Sequence, residues 1–144
     1  MNFDAKEGAH PFTISSAWQG DGHITFLIKE LGDYTRTLPD YLAVGHTAEI
    51  EGPYGQFTFQ GPKQRQIWVG AGIGITPFVA RMKTLAGAPD GKQIDLFHST
   101  AVLDPRAIDK MEDDAASAGV RLHVLHDARD GRLDAARLCA AVPD

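Results

Sequence analysis

Residues 69–78, VGAGIGITPF, set three glycines at alternate positions ahead of a threonine and a proline. Gly70, Gly72 and Gly74 allow sharp turning and let a bound group come close to the backbone. Thr76 has the chemistry of a helix N-cap, and Pro77 is preorganised for a first helical position. Free amides at such a helix start, together with the positive end of its dipole, suit a pyrophosphate. The spacing is GxGxxP rather than GxGxxG, and no lysine follows, which removes an ATPase-type phosphate cradle. Taken alone, the segment fits either a nucleotide cradle or a strand–helix turn with only a packing role.

The elements that must position this loop fall into two textures. Up to about Gln60 the chain reads as short strands: Phe12, Ile14 and Ala17 alternate with polar residues, a Gln19-Gly20-Asp21-Gly22 turn follows, and Ile24, Phe26 and Ile28 resume a period of two. Thr35 to Leu42 reads as one or two helical turns capped by Thr35. Thr47–Glu51 and Gln56–Gln60 read as strands around a Gly52-Pro53-Tyr54-Gly55 turn. After Gly61-Pro62-Lys63-Gln64 the rhythm becomes strand–helix–strand. Ile67–Val69 predicts a buried strand, and Phe78, Val79, Met82 and Leu85 share one helix face. Ile94–Phe97 predicts a second strand. Asp104 and Pro105 open a helix that Gly119 closes. Val120, Leu122 and Val124 give a third strand, and Asp134–Val142 a last helix. The expected fold is therefore β followed by α/β. A partial antiparallel barrel precedes a partial parallel, Rossmann-like sheet with helices on both faces and ligands at the carboxyl ends of its strands. So few strands leave open edges, and the chain reads as a piece cut at both ends.

Composition narrows the partners. The 144 residues carry 43% apolar content and a net charge of -5, enough for a core and unsuited to non-specific nucleic-acid binding. The single cysteine excludes a disulfide framework. Ile67–Ala80, the longest weakly polar run, is short of the roughly 20 residues that span a bilayer. Asp4, Lys6 and Glu7 interrupt any apolar leader, so a cytoplasmic location is expected.

Four stretches in order, HPFTISSA (10–17), IKELGDYT (28–35), GPYG (52–55) and VGAGIGITPF, give the chain a family resemblance over nearly its whole length. It resembles the flavin- and pyridine-nucleotide-binding region of ferric reductases and NADPH oxidases, a branch of the ferredoxin–NADP reductase-like superfamily. The resemblance implies part of an FAD-binding barrel domain over 1–62 and part of an NAD(P)-binding domain over 63–144. FAD would be held by the HPFT residues His10, Pro11, Phe12 and Thr13. Phe12 would lie against the isoalloxazine, Thr13 near its reactive nitrogen, and His10 by the pyrophosphate. Lys29, Gly32 and Thr35 would serve the same pyrophosphate from the second stretch. Gly70, Gly72, Gly74, Thr76 and Pro77 would receive NADPH or NADH. The activity implied is hydride transfer from NADPH to FAD, then single electrons passed to haem, ferric iron or oxygen. A haem-bearing transmembrane domain in the parent protein is the implied partner, with this region on the cytoplasmic face. A soluble reductase serving a ferredoxin or an oxygenase, or a non-catalytic nucleotide-binding fragment, are the alternatives. No side chain is needed as general acid or base, and no metal ligand set is expected.

At the second strand's end, His98-Ser99-Thr100 shows no acid, and Arg106 lies one turn into the next helix, so Ser99, Thr100 and Arg106 are the candidates for a 2′-phosphate and NADPH is favoured. Arg129 and Arg132 lie in the later DARDGRL loop. Cys139 is expected in packed core, and His123 and His126 on opposite faces of a strand. The isolated chain is expected to bind FAD weakly, to turn over slowly, and to cover its open edges by pairing with a second copy.

Overall fold

A computed structural model describes residues 1–3 and 8–142; the charged residues 4, 6 and 7 therefore lie outside the described residues. The elements are helix α1 (Asp33–Tyr41), strand β1 (Arg65–Ala71), a 3-10 turn (Gly72–Ile75), α2 (Thr76–Gly87), β2 (Gln93–Thr100), α3 (Pro105–Ala118), β3 (Val120–His126), the short α4 (Asp127–Asp130) and α5 (Ala135–Ala141).

The second half follows its sequence pattern closely. The three strands form a parallel sheet in the order β1-β2-β3, with Trp68 opposite Leu96 and Leu96 opposite Leu122. Asp104 caps α3 by accepting the Arg106 N–H at 3.0 Å, and Gly119 ends it in the left-handed region at φ 66°. Phe78, Val79, Met82 and Leu85 of α2 are buried as their spacing required, in one core with Trp68, Ile94, Leu96, Val120 and the α3 residues Met111 and Ala115.

That core corrects the expectation of helices on both faces. The strand order runs in one direction only, and right-handed crossovers made in one direction place successive helices on the same side. The two long helices α2 and α3 therefore share one face. The opposite face carries Phe97, stacked on His123 with centroids 4.3 Å apart, and the buried Asp95, which lies 2.9 Å from His123 Nε2 and 3.0 Å from Arg121 Nε. It leaves Ile67 and Val69 about half exposed, at 50% and 49%. Cys139 is also corrected: it is exposed, because none of the residues of α5 is buried and the helix does not bring its apolar pattern into the core.

The first half departs further from expectation. Among the described residues it has no strand-length ladder, only two isolated antiparallel bridges, Ile14 with Phe26 and Asn2 with Glu49. Ile24, Leu27, Ile50 and Phe57 are 40–65% exposed, so no closed interior receives them. Period-two alternation identifies an extended segment but not a partner to pair with. The 14–26 hairpin does form. Ser15, which the alternation set facing outward, is its most buried residue; its amide and hydroxyl both donate to the Thr25 carbonyl, at 2.8 and 2.9 Å. Helix α1 begins two residues before the expected cap. Thr35 lies inside it, and its Oγ1 accepts from the amides of Leu31 and Gly32 at 3.0 and 3.1 Å.

Several contacts join the halves, among them one hydrogen bond and one aromatic cluster. Lys83 of α2 donates to the Ser15 carbonyl at 3.2 Å. Phe59 packs on the core, 4.9 Å from Trp68 and 5.8 Å from Phe78 between ring centroids.

Gly70 is where packing is tightest. A Cβ there would lie 3.0 Å from Ile75 Cα and 3.2 Å from Phe78 Cδ2. Gly70→Ala is expected to destabilise by about 1–3 kcal/mol through overpacking against backbone. Gly87→Ala, whose added Cβ meets nothing within 4 Å, should be neutral or stabilising. Denaturant unfolding of both variants checks the pair.

His98 is buried beside Gly70, its Nδ1 3.2 Å from the Gly70 carbonyl. Burial pushes the imidazole below its ordinary value of 6.5, against the opposing pull of that carbonyl and of Asp127. The unfolded chain takes up this proton first as pH falls, so the stability of the neutral buried ring is complete above about pH 6.5 and is lost through the lower folded value. His98→Gln should flatten the acid side of a stability–pH profile in that window.

Candidate cofactor-binding site

HPFT, the start of α1 and the turn after β1 converge on a cavity of about 510 Å³. His10, Pro11, Phe12, Thr13, Lys29, Gly32, Thr35, Gly74 and Thr76 all line it, so nine residues chosen from separate stretches of sequence meet in one place. Leu27, Leu31, Asp33, Tyr34 and Ile73 complete the wall and were missed. Leu31, Asp33 and Tyr34 sit inside IKELGDYT and Ile73 inside VGAGIGITPF, so they could have been found from their places beside Gly32 and between Gly72 and Gly74; Leu27 carried no signal beyond being apolar. A smaller cavity of about 350 Å³, between the hairpin and α2–α3, contains none of the selected residues.

Local geometry explains why this wall forms. The chain turns from β1 through Gly72, at φ 50°, into a 3-10 turn that leads directly into α2. Positive φ falls at Gly72; Gly74 has ordinary φ and instead leaves open space, since a Cβ there meets nothing within 4 Å. The expected cap role of Thr76 is corrected. The 3-10 turn has already brought the chain into helical conformation, so Thr76 is the first helical residue and its hydroxyl donates back to the Ile73 carbonyl at 2.7 Å. Pro77 occupies the second position of α2.

Gly70, Gly72, Pro77, Ser99, Thr100 and Arg106 do not line this cavity. Ser99 and Thr100 end β2, and Ser99 stands in register with Ala71, immediately before the glycine turn. Their hydroxyls are engaged: Ser99 donates to Asp127 Oδ1 at 2.6 Å, and Thr100 to the Val102 carbonyl at 2.9 Å. The strand end that shows no acid in sequence thus has one in space, supplied from beyond β3. Arg106 is exposed at the start of α3. Arg129 pairs with Asp130 at 2.8 Å; that pairing, helped by the His126 amide, holds the Asp130 carboxyl down to about 2.

Residues 2–58 match the FAD-binding domain family. The reductase component of propane 2-monooxygenase from Rhodococcus jostii is 25% identical over 68% of this chain and 27% of its own length. Ferric reduction oxidase 7 of Arabidopsis thaliana is 36% identical over 49% of this chain and 12% of its own. NADPH oxidase 1 of Mus musculus is 35% identical over 53% and 14%. The chain is thus similar to reductases and oxidases, and its first part to an FAD-binding domain. It spans about a quarter or less of the length of these three proteins. The flavohem-like FAD/NAD-binding domain of a Vibrio cholerae nitric oxide dioxygenase shares the fold, with a TM-score of 0.65 at 19% identity, over 87% of this chain and 58% of that one.

The cavity fits the flavin nucleotide of such reductases. His10 Nε2 is buried without a hydrogen-bond partner, which leaves hydrogen-bonding capacity at the wall. The Thr35 hydroxyl takes the amides of Leu31 and Gly32, but Gly32 offers no side chain to cap the first amides of α1 itself, and such a helix start favours an anion. Lys29 adds a cation to the lining. The Asp33 carboxylate in the same turn is fully exposed and lies 3.7 Å from Arg36. Phe12 contributes a half-buried apolar surface.

Because Gly74 faces open space, Gly74→Val should leave fold stability within about 1 kcal/mol of the parent. The same change puts a branched side chain into the cavity, so FAD or NADPH affinity should fall at least about tenfold. Calorimetric titration alongside thermal unfolding measures both; equal affinities in parent and variant would remove the turn from the site.

Proposed function

We propose that this chain is the FAD- and pyridine-nucleotide-binding part of a reductase that takes a hydride from NAD(P)H and passes electrons onward to haem, ferric iron or oxygen. Residues 1–62 contribute the FAD-binding domain and residues 63–144 the nucleotide-binding domain. The observation that carries the reading is the single cavity joining HPFT, the start of α1 and the glycine turn.

FAD would supply acceptance of a hydride and release of electrons one at a time. The chain's own residues bind and orient. His10, Lys29 and the amides of the first turn of α1 would hold the pyrophosphate. Phe12 supports the flavin ring, with Pro11 and Thr13 beside it. Gly70, Gly72, Gly74, Thr76 and Pro77 shape the approach of the nicotinamide nucleotide. Side-chain proton transfer is not required for this chemistry.

The onward partner in this reading is a haem-bearing membrane domain, as the likeness to a ferric reduction oxidase and an NADPH oxidase suggests. Among the described residues no helix is long and apolar enough to cross a membrane. The longer match to an oxygenase reductase component supports a second reading, delivery of electrons to a separate protein acceptor. In this reading two copies pair through an open sheet edge, β1 being an edge strand among the described residues, and sedimentation at two concentrations reports it.

The nucleotide preference follows from Ser99. A carboxylate 2.6 Å from its hydroxyl suits a ribose hydroxyl and repels a 2′-phosphate, which turns the sequence-based preference for NADPH toward NADH. Saturable quenching of FAD fluorescence is expected, with slow ferricyanide reduction that is faster with NADH. Absence of FAD binding would overturn the function. Asp127→Ser should shift the NADPH/NADH affinity ratio toward NADPH by about tenfold, and an unchanged ratio would remove Asp127 from the nucleotide site.

A further inference from the structure

We infer that Tyr34 is a positioning residue whose ring fixes the His10 imidazole as a phosphate ligand for FAD. This rests on the FAD reading above and deepens it. The His10 and Tyr34 rings stack with centroids 3.8 Å apart and planes 11° from parallel, and both side chains line the cavity. A functional histidine usually has its ring orientation set by a hydrogen bond from the nitrogen it does not use. His10 has no such anchor at Nε2, which is buried and without a hydrogen-bond partner. Its backbone amide is tied to the Met1 carbonyl at 2.9 Å, which leaves rotation of the side chain as the freedom still to be controlled. The ring is therefore held by its face, and the residue that holds it comes from another element.

The location of Tyr34 gives this contact its consequence. Tyr34 is the second residue of α1, between Gly32 and Thr35, in the turn that lines the same cavity. The stack ties the imidazole of HPFT to that turn, so the side-chain and backbone donors for one pyrophosphate are held in register. A parallel aromatic contact also covers the apolar face of the imidazole while leaving its in-plane nitrogens for polar partners. Phenylalanine presents the same ring face and should serve in this role. An aliphatic residue cannot.

The test is flavin titration by fluorescence on the parent chain, Tyr34→Phe, Tyr34→Leu, His10→Ala and the His10→Ala/Tyr34→Leu double variant, with FAD and with riboflavin, which lacks phosphate. Tyr34→Phe should bind FAD within about twofold of the parent, and Tyr34→Leu about three- to tenfold more weakly. In the His10→Ala background Tyr34→Leu should add no further loss, and riboflavin affinity should not change. Additive losses in the double variant, weakening in Tyr34→Phe, or equal weakening for riboflavin would overturn the positioning role and leave the FAD reading standing. A parent chain that binds no FAD would overturn that reading itself, and the proposal with it.

Discussion

The close approach of strand β1 to the start of α2 is the constraint on which the rest depends. At Gly70 even a methyl group would fit only if Ile75 and Phe78, which already lie against the backbone, gave way by a few tenths of an ångström. That contact lets the chain leave the sheet, turn through Gly72 and enter a helix within four residues. It keeps Phe78 over Trp68, with centroids 5.4 Å apart, and so anchors the core to the same turn that opens the cavity. A larger residue would push the helix outward and carry Gly74 and Thr76 with it. The site and the core thus share one tight contact.

Around that contact the molecule is held by few, long-range ties. Phe59 brings the end of the first half onto the core, in edge-on contact with both Phe57 and Phe78. Gln66 and Lys92 reach back to the carbonyls of Phe59 and Gly61, at 3.2 Å each. Lys83 holds the hairpin through Ser15. These ties matter for the site because its walls come from both halves: HPFT and α1 on one side, the glycine turn on the other. The hairpin and α1 have few ladder bonds of their own, so their placement relies on contacts to a better-packed neighbour.

Charge is distributed in a way that suits two nucleotides. The chain is acidic overall, yet the cavity near HPFT gathers Lys29, an imidazole and an uncapped helix start. At the carboxyl edge of the sheet the balance reverses, with Asp127 bound to Ser99 and Asp130 occupying Arg129. In the proposed reading the first region would take a pyrophosphate and the neighbouring one neutral hydroxyls.

The sequence by itself determined the parallel sheet, the capped α3, the buried face of α2 and the membership of most of the cavity. Each depends on local chemistry: period, cap residues, or a motif whose members are close in sequence. Tertiary structure alone decided the rest. Thr76 lost its cap role because a 3-10 turn formed ahead of it. Thr35 became an internal helix residue because its hydroxyl was needed by two amides behind it. Ser15 became the most buried hairpin residue because Thr25 and Lys83 meet it there. Asp127 came to Ser99 from 28 positions along the chain, and Tyr34 came to His10 from another element. Neither pair has a spacing rule, because parallel registry sets the first distance and the folding of the first half upon itself sets the second, in space rather than along the chain.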